Sequence, residues 1–251
     1  MEREALVGYL DNYLRIDEIQ DYGPQGLQVE SDNRAITRIA LAVDTAPPIV
    51  EEAAAWGADM LLVHHGIFWG QTERIAGPLG ARVRLLLRHN INLYAAHLAL
   101  DAHPEVGNNA ELARLLGITA EGWWCAPRGT PIGVLGAVTP GTSREELVAR
   151  VVQLLNTEPV VLPHGPDWPE RVAIVSGSAA GHTGEAAAMG ADTLITGETS
   201  HSHYWAASDH AMNVIFAGHY ATETVGVQAL GRHLAERFGV EVKFLDFPTK
   251  M

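Results

Sequence analysis

The stretch ALAVDTAPPIVEEAAAWGADMLLVHHG, residues 40–66, occurs a second time in altered form as AIVSGSAAGHTGEAAAMGADTLITGET, residues 173–199. The two stretches align without a gap at an offset of 133 positions, as Gly57 and Gly190 show. Each contains an apolar run, an alanine-rich segment that ends in GAD, and a second apolar run. The pattern predicts a strand, a helix and a strand in each copy, and it indicates an internal duplication.

A second pair of similar stretches follows the first. NLYAAHLALD (92–101) resembles NVIFAGHYATE (213–223), and in each an apolar run leads to a histidine with a carboxylate four positions later. Strands and helices alternate along the whole chain, which favours parallel sheets covered by helices on both faces. We therefore predict an α/β fold of two similar domains, residues 1–125 and 126–251, with EGWWCAPRGTP (121–131) as the linker.

Composition excludes several classes of protein. Hydrophobic residues make up 47% of the chain and charged residues 19%, which is typical of a globular protein with a core. The formal net charge of -13 argues against nucleic acid or an anionic membrane as partner. No apolar run is long enough to span a bilayer, and the acidic, amphipathic start is predicted as a helix. The single cysteine fits a reducing compartment, so we expect a cytoplasmic protein.

Histidines and carboxylates stand where the predicted strands end. His64 and His65 end the strand MLLV, His97 and Asp101 follow INLYAA, and the last pair, His219 and Glu223, follows NVIFAG. Sites in parallel sheets lie beyond the carboxyl ends of the strands. If the two halves face each other about a pseudo-dyad, these strand ends converge in one cleft between the domains.

Neutral imidazoles together with carboxylates suit a divalent transition metal: zinc, iron, manganese, cobalt or nickel. Adjacent His64 and His65 can each reach a different ion, and the two oxygens of Glu223 can bridge two ions. We therefore expect two divalent metal ions per chain. The sequence does not distinguish among the five metals.

The duplicated site is asymmetric. At the offset of 133, Gly197 and Glu198 stand where the first copy has His64 and His65. Glu198 and two nearby histidines, His201 and His203, are candidates for contacts to the ligands or to a substrate, as is His97. For the three residues of the second copy, a solvated loop is the alternative interpretation.

Several stretches together resemble one known family. QGLQVE (25–30), LLVHHGIFW, NLYAAHLALDAHPEVGNNAELARLLG, ITGE and AGHYATETVGVQAL are similar to the GTP cyclohydrolase I type 2 family, also described as NGG-interacting-factor-like. The similarity covers nearly the whole chain. Because the linker near residue 125 is short, the chain resembles the compact form without a central insert.

The resemblance implies two interlinked α/β domains, with the C-terminal part joined to the first, a dinuclear metal centre in the cleft between them and a toroidal homohexamer. It places the metal ligands on His64, His65, Asp101, His219 and Glu223. These five residues are all among the candidates that the strand ends supply.

Two functions of different classes follow. The first is a metal-dependent hydrolase of GTP cyclohydrolase I type 2-like activity, acting on a nucleotide or a similar small anionic substrate. The alternative is a metal-binding, ring-forming adaptor or regulator without chemistry of its own. Five protein ligands shared by two ions leave coordination positions for water or substrate, which favours the enzyme. The sequence does not assign the catalytic residues.

Overall fold

A computed structural model describes residues 1–70 and 73–251 of the chain. The chain divides into two compact units: residues 1–100 with 227–247, and residues 101–226 with 248–251. Each unit contains one β-sheet with helices packed on it, so the fold is mixed α/β with two sheets, as predicted. Across 1–70 and 73–251, every helix is too short or too polar to cross a lipid bilayer.

The helices and strands follow one another in the predicted alternation. Up to Asp101 they are α1 (Arg3–Leu14), β1 (Gly26–Val29), β2 (Arg38–Ala42), α2 (Pro47–Trp56), β3 (Met60–Val63), α3 (Gly77–Arg88), β4 (Asn92–Ala95) and α4 (Leu98–Asp101). Next come α5 (Asn108–Leu116), β5 (Thr119–Trp124), β6 (Gly133–Ala137), α6 (Arg144–Leu155), β7 (Val160–Pro163), β8 (Arg171–Val175), α7 (Thr183–Ala188), β9 (Thr193–Thr196), α8 (Tyr204–Asp209), β10 (Asn213–Phe216), α9 (His219–Thr222), α10 (Thr224–Phe238) and β11 (Glu241–Phe244).

The first sheet has the strand order β1-β4-β3-β2-β11. Four strands are parallel, and only β1, at one edge, runs antiparallel to its neighbour β4. Every residue of β3 and β4 is buried, as expected for inner strands covered on both faces. Leu61 and Leu93 pack in the core with α2 and α3. On α10, a Cβ atom at Gly231 would lie 2.1 Å from Leu41 Cδ1, so a larger residue there would require the buried side chain of Leu41 to move.

The second sheet has the order β5-β6-β8-β9-β10-β7. Its three central strands, β8, β9 and β10, are parallel, and the remaining strands pair antiparallel. The core includes Leu112 and Leu116 of α5 together with Leu147 and Val151 of α6. Residues 119–124 form the edge strand β5, so residues 121–124, the first part of the segment predicted as a linker, belong to a sheet. Most of β5 is exposed, which explains why its sequence shows no buried run.

The duplication seen in the sequence recurs in the hydrogen bonds. Asp59 Oδ2 accepts the backbone N–H groups of Thr37 and Arg38 at 2.7 and 2.9 Å. Asp192 Oδ2, at the corresponding position, accepts the backbone N–H groups of Glu170 and Arg171, where β8 begins, at 2.7 and 3.1 Å. The aspartate of each GAD therefore fixes the start of a central strand, which explains its presence in both copies.

Two buried asparagines attach the antiparallel edge strands in the same manner. Asn92, the first residue of β4, accepts a hydrogen bond from Ser31 N at 3.0 Å through its side-chain oxygen. Asn213, the first residue of β10, accepts one from Gly165 N at 3.1 Å. Because each asparagine bonds to the loop after an antiparallel edge strand, it helps to fix that strand's position beside the parallel core.

We expect Asp59→Asn to lower the free energy of unfolding by about 1–2 kcal/mol at pH 7, because a carboxylate acceptor of several hydrogen bonds is lost. Burial alone would raise the pKa of Asp59, but the N–H groups of Thr37 and Arg38 outweigh it and hold the pKa below its usual value of 3.8. The stabilisation is therefore present above pH 3.8 and is lost as the pH falls through the lower folded-state pKa.

Urea unfolding at pH 7 and at pH 3 measures this effect. Asp32→Asn, which changes an exposed carboxylate of the same unit, is the matched control and should leave the stability within about 0.5 kcal/mol. Equal stability of the Asp59→Asn and Asp32→Asn variants at pH 7 would contradict a role of Asp59 in fixing β2.

Candidate metal centre

Three histidines come together at the carboxyl edge of the first sheet. His64 and His65 directly follow β3, and His97 follows the neighbouring strand β4 and precedes α4. One ring nitrogen of each histidine lies within 4.8 Å of those of the other two. His64 is fully buried, and His65 and His97 are half-buried. The sequence predicted these positions from the strand ends, and the parallel register brings them together.

In each of the three rings, Nδ1 faces a hydrogen-bond acceptor. The partners are the Ala96 carbonyl oxygen for His64 (3.0 Å), Asp44 Oδ1 for His65 (2.9 Å) and Asp21 Oδ1 for His97 (2.8 Å). Carbonyl and ionised carboxylate oxygens only accept, so Nδ1 carries the hydrogen in each ring. In the neutral ring, Nε2 then carries the lone pair that can bind a metal.

The segment from Asp21 to Gln25 fixes the start of α4. Asp21 Oδ2 accepts Leu98 N at 2.8 Å, and Gln25 Oε1 accepts His97 N at 3.1 Å. Burial alone would raise the pKa of Asp21, but hydrogen bonds from His97, Leu98 and Tyr22 outweigh it and lower the pKa. Asp21 is therefore a charged acceptor that holds both the ring of His97 and the backbone around it.

Asp21 and Asp44 were not among the candidates from the sequence. Asp44 lies just beyond the carboxyl end of β2, so the strand-end rule that selected the histidines could have found it. Asp21 lies in a loop before β1 and is 76 positions from His97, and no local pattern marks it.

Trp69 forms an aromatic wall beside the histidines, with its ring edge-on to His65 and His97 at 5.7 and 5.1 Å between centroids. A small pocket opens here, lined by Asp21, Gln28, His64, Trp69 and His97.

The second unit holds the remaining candidates. His219 begins α9, which is separated from β10 by two residues, and its Nε2 lies 3.1 Å from Glu223 Oε1. Its Nδ1 lies 2.9 Å from Glu198 Oε2. The hydrogen bond to Glu223 is the main reason that the pKa of His219 is raised to about 9; the bond to Glu198 adds to this, and burial opposes it. His219, Glu198 and Glu223 thus form one bonded group.

Asp101 is held separately in the same unit. Its Oδ1 accepts Asn108 Nδ2 at 2.9 Å and Ser176 Oγ at 3.2 Å, and all three residues are buried. Asn109 Oδ1 in turn accepts Ser176 N at 2.7 Å. The sequence did not single out the neighbouring Asn108 and Asn109, which begin α5. Both are fully buried in the structure, and buried amide groups need hydrogen-bond partners such as Asp101 and Ser176.

Gly177 gives the second unit room for its carboxylate. Its φ is +66°, and a Cβ atom there would lie 2.6 Å from Glu223 Oε1 and 3.3 Å from His219 Nε2. At the offset of 133, Gly177 corresponds to Asp44 of the first unit. Ser176, beside it, bonds Asp101. The turn that follows β8 therefore contacts Asp101 through Ser176 and lies against His219 and Glu223 through Gly177.

The other candidates of the second copy differ in their placement. Glu198 contacts the ring of His219, as described above. His201 and His203 bound a short 3₁₀ helix and are exposed, and His203 Nδ1 bonds with Ser200 Oγ at 2.9 Å. Within residues 73–251 of the described chain, the structure does not bring either imidazole into the bonded group of His219.

These residues fit a divalent metal ion. Imidazole nitrogens and carboxylate oxygens are ligands for zinc, iron, manganese, cobalt and nickel. In His64, His65 and His97 Nδ1 is engaged by an acceptor, as in proteins where Nε2 binds the metal and an outer partner orients the ring. In His219 Nδ1 faces Glu198 in the same manner, and Nε2 faces Glu223, a second group that can bind a metal. The histidine and glutamate groups could therefore hold a metal.

Comparison with known proteins agrees with the architecture. A family model described as Duf34/NIF3 (NGG1p interacting factor 3) matches residues 1–250. A protein of Deinococcus radiodurans named GTP cyclohydrolase 1 type 2 homolog is 46% identical, with 98% of this chain and 94% of the relative covered. A Pyrococcus abyssi protein of the same name is 43% identical, with 99% of each covered.

Solved structures are similar along the full length. Protein ybgI, described as of unknown function, superposes with a TM-score of 0.93 at 37% identity, and both chains are covered completely. TTHA1606 from Thermus thermophilus superposes with a TM-score of 0.87 at 42% identity, again with complete coverage of both. Together with the match to the family model, these similarities show that the chain belongs to the Duf34/NIF3 (NGG1p interacting factor 3) family.

Proposed function

We propose that this protein is a metal-dependent hydrolase that binds two divalent ions per chain and acts on a nucleotide or a similar small anionic substrate. The proposed ligands are three imidazoles and two carboxylates: His64, His65, His219, Asp101 and Glu223. The name GTP cyclohydrolase 1 type 2 homolog, which several relatives carry, supports a hydrolytic reaction on a nucleotide. The donor types do not select one metal among zinc, iron, manganese, cobalt and nickel.

The orientation of the imidazoles carries this proposal. The Nδ1 atoms of His64, His65 and His219 lie 2.9–3.0 Å from a carbonyl or carboxylate oxygen. A single buried histidine with one such bond would be an ordinary feature of a protein core. Here several rings at strand ends have the same orientation, which is unusual without a shared ligand. In the neutral rings of His64 and His65 this orientation puts the lone pair on Nε2, and in His219 the same nitrogen faces the carboxylate of Glu223, so a cation could bind these nitrogens and the carboxylate together.

Charge supports an anionic substrate. Two divalent ions with their two ligand carboxylates and neutral imidazoles would carry a charge of about +2 at the ions, which favours an anionic group at the open coordination positions. The carboxylates of Asp21, Asp44 and Glu198 behind the rings offset this charge at longer range. When bound, such ions supply Lewis acidity, which makes water a nucleophile at a pH near ~7. The chain's own residues would hold the reacting groups in place: Asp44 and Glu198 orient the rings of His65 and His219.

Glu223 is also a group to which a proton could move. Its side chain is 4% exposed, and its Oε1 already shares a hydrogen bond with His219 Nε2. A carboxylate shielded from bulk water and bonded to an imidazole can accept and return a proton. We therefore propose that Glu223 would also take part in proton transfer during hydrolysis if it holds an ion through one oxygen only.

An adaptor without catalysis is the second candidate function, and exposed aromatic side chains favour it. Trp168 is 63% exposed and Trp205 67% exposed, and both belong to the second unit. Tryptophan is enriched in protein interfaces, so these side chains are suited to contacts with other chains. We propose that the contacts include those of a homohexamer, which the family resemblance implies.

We expect the reconstituted protein to retain up to two divalent ions per chain after gel filtration, and Glu223→Gln to retain fewer. The substitution keeps the shape of the side chain but removes its negative charge and one oxygen donor. Plasma mass spectrometry of the protein fractions gives the metal content. Glu236→Gln, an exposed position on α10, is the control and should retain the wild-type amount. A wild-type chain that binds no metal would refute the ligand assignment.

Hydrolysis should depend on the proposed ligands. A pool of nucleotides and related anions incubated with the metal-loaded protein should yield a product one water heavier or its fragments, as read by mass spectrometry. His65→Ala and Glu223→Ala should lower the rate at least about 100-fold, because the ion that activates water is lost. His89→Ala, an exposed position outside the site, should keep the rate. Full activity in both ligand variants would favour the adaptor.

Light scattering coupled to size exclusion should give the mass of six chains at micromolar concentration. Trp168→Ser and Trp205→Ser together should shift the distribution to smaller assemblies if these side chains lie in subunit contacts. A stable monomer in the wild-type protein would contradict the proposed hexamer.

A further inference from the structure

We propose that His97 is a ligand of the same metal centre through Nε2, in addition to the five residues assigned above. The inference rests on the proposed metal binding and names a residue that the resemblance does not place in the ligand set. A ring nitrogen of His97 lies within 4.8 Å of ring nitrogens of both His64 and His65. The three ring centroids are 4.8, 4.9 and 5.6 Å apart.

The ring of His97 is oriented as the rings of the proposed ligands are. Its Nδ1 donates to Asp21 Oδ1 at 2.8 Å, and the Asp21 side chain is only 3% exposed. Asp21 also accepts Leu98 N, while Gln25 accepts His97 N, so both the ring and its backbone are fixed. This arrangement keeps Nε2 as the atom with the free lone pair in the neutral ring.

The duplication gives an independent argument. His97 and His219 occupy matching places, since each follows the third parallel strand of its unit at the start of a four-residue helix. Each donates Nδ1–H to a carboxylate, Asp21 in one unit and Glu198 in the other. His219 is a proposed ligand, and its counterpart has the same orientation and the same kind of acceptor.

The chemistry of three neighbouring imidazoles also favours a cation. Each Nδ1 is engaged by its own acceptor, so Nε2 is the nitrogen with the lone pair when the ring is neutral. Close packing of such nitrogens is favourable when a positive ion lies among them. Three histidines are a ligand set that proteins use for zinc.

The tautomer of His97 provides a sharp test. In Asp21→Asn, the side-chain oxygen can still accept Leu98 N, but the amide can turn its NH₂ group to His97 Nδ1. The imidazole then takes the other tautomer, with the hydrogen on Nε2, and that nitrogen can no longer bind a metal. A carboxylate that only stabilised the loop would not have this specific effect on the metal.

The experiment uses the full-length protein loaded with Co²⁺. Chelator competition gives the affinity of each ion, and visible absorption reports the ligands of the cobalt. We expect His97→Ala to lower the affinity for one ion at least about 100-fold and to change the absorption spectrum. Asp21→Asn should lower the affinity about 10–100-fold. Added imidazole should restore affinity in His97→Gly, because the free ligand fits the space left by the side chain.

Two control substitutions match these changes. Asp17→Asn alters an exposed carboxylate in the same segment as Asp21, and His89→Ala removes an exposed imidazole of the same unit. Both should keep the wild-type affinity and spectrum. Circular dichroism of the metal-free variants separates a loss of ligand from a loss of fold.

Wild-type affinity and an unchanged cobalt spectrum in His97→Ala would overturn the assignment of His97. The five-residue centre would still stand in that case, provided that Glu223→Gln loses metal. If His97→Ala and Glu223→Gln both bind as the wild type does, the five-residue ligand assignment fails as well, and if the wild type itself binds no metal, the proposed function fails. The two failures are therefore distinguishable.

Discussion

The register of the parallel strands decides which side chains can act together. In the first sheet Ala42 pairs with Val63, and Val63 pairs with Ala95, so β2, β3 and β4 end at the same level. The residues that follow these strands therefore leave the sheet at one edge, and they include Asp44, the histidine pair and His97. In the second sheet Val175, Thr196 and Phe216 are aligned in the same manner. Polar residues that are distant in sequence therefore lie close together at the carboxyl edge of the sheet.

The two copies of the repeat differ at positions where the second unit has no space for a side chain. A Cβ atom at Gly197 would lie 2.6 Å from Gly177 O and 2.7 Å from His219 Cα, so no side chain fits where the first copy has His64. Glu198, at the place of His65, instead orients the ring of His219. Gly177 replaces the aspartate that orients His65 and leaves space for Glu223. The second unit thus contains one imidazole with its carboxylates, and the first unit contains the imidazole cluster.

In metal sites, the outer hydrogen-bond partners of histidine side chains affect metal binding together with the ligands. An imidazole binds a metal only with the correct tautomer and ring orientation, and an acceptor at Nδ1 determines both. Here the acceptors are rigid groups: a carbonyl that follows β4, a carboxylate after β2, and Asp21, which bonds the backbone at the start of α4. Asn108 and Ser176 hold Asp101 in a comparable way. Fixed partners lower the entropic cost of ordering ligands around an ion.

The sequence by itself determined the duplication, the alternation of strands and helices, the family, and the histidines and carboxylates that follow strands. These features are local or periodic, because burial of a strand or helix face requires apolar residues at regular spacing. Other features depended on contacts between distant segments. No periodic pattern in the sequence predicts which strands pair with the antiparallel edge strands β1 and β7. The same holds for the parallel addition of β11 to β2 and for the strand β5, which overlaps the start of the expected linker.

The same distinction applies to the candidate site. Asp21 and His97 are 76 positions apart, and Ser176 and Asp101 are 75 apart, yet both pairs are hydrogen-bonded. Only the tertiary structure could decide these pairs, because each depends on how separate loops pack against the ends of the strands. Sequence patterns can select the residues that bear the chemistry, since strand ends are predictable. The hydrogen-bond partners that orient those residues depend on the packing of the whole unit. That packing is determined by the free energy of burial rather than by the local conformational preferences of each segment.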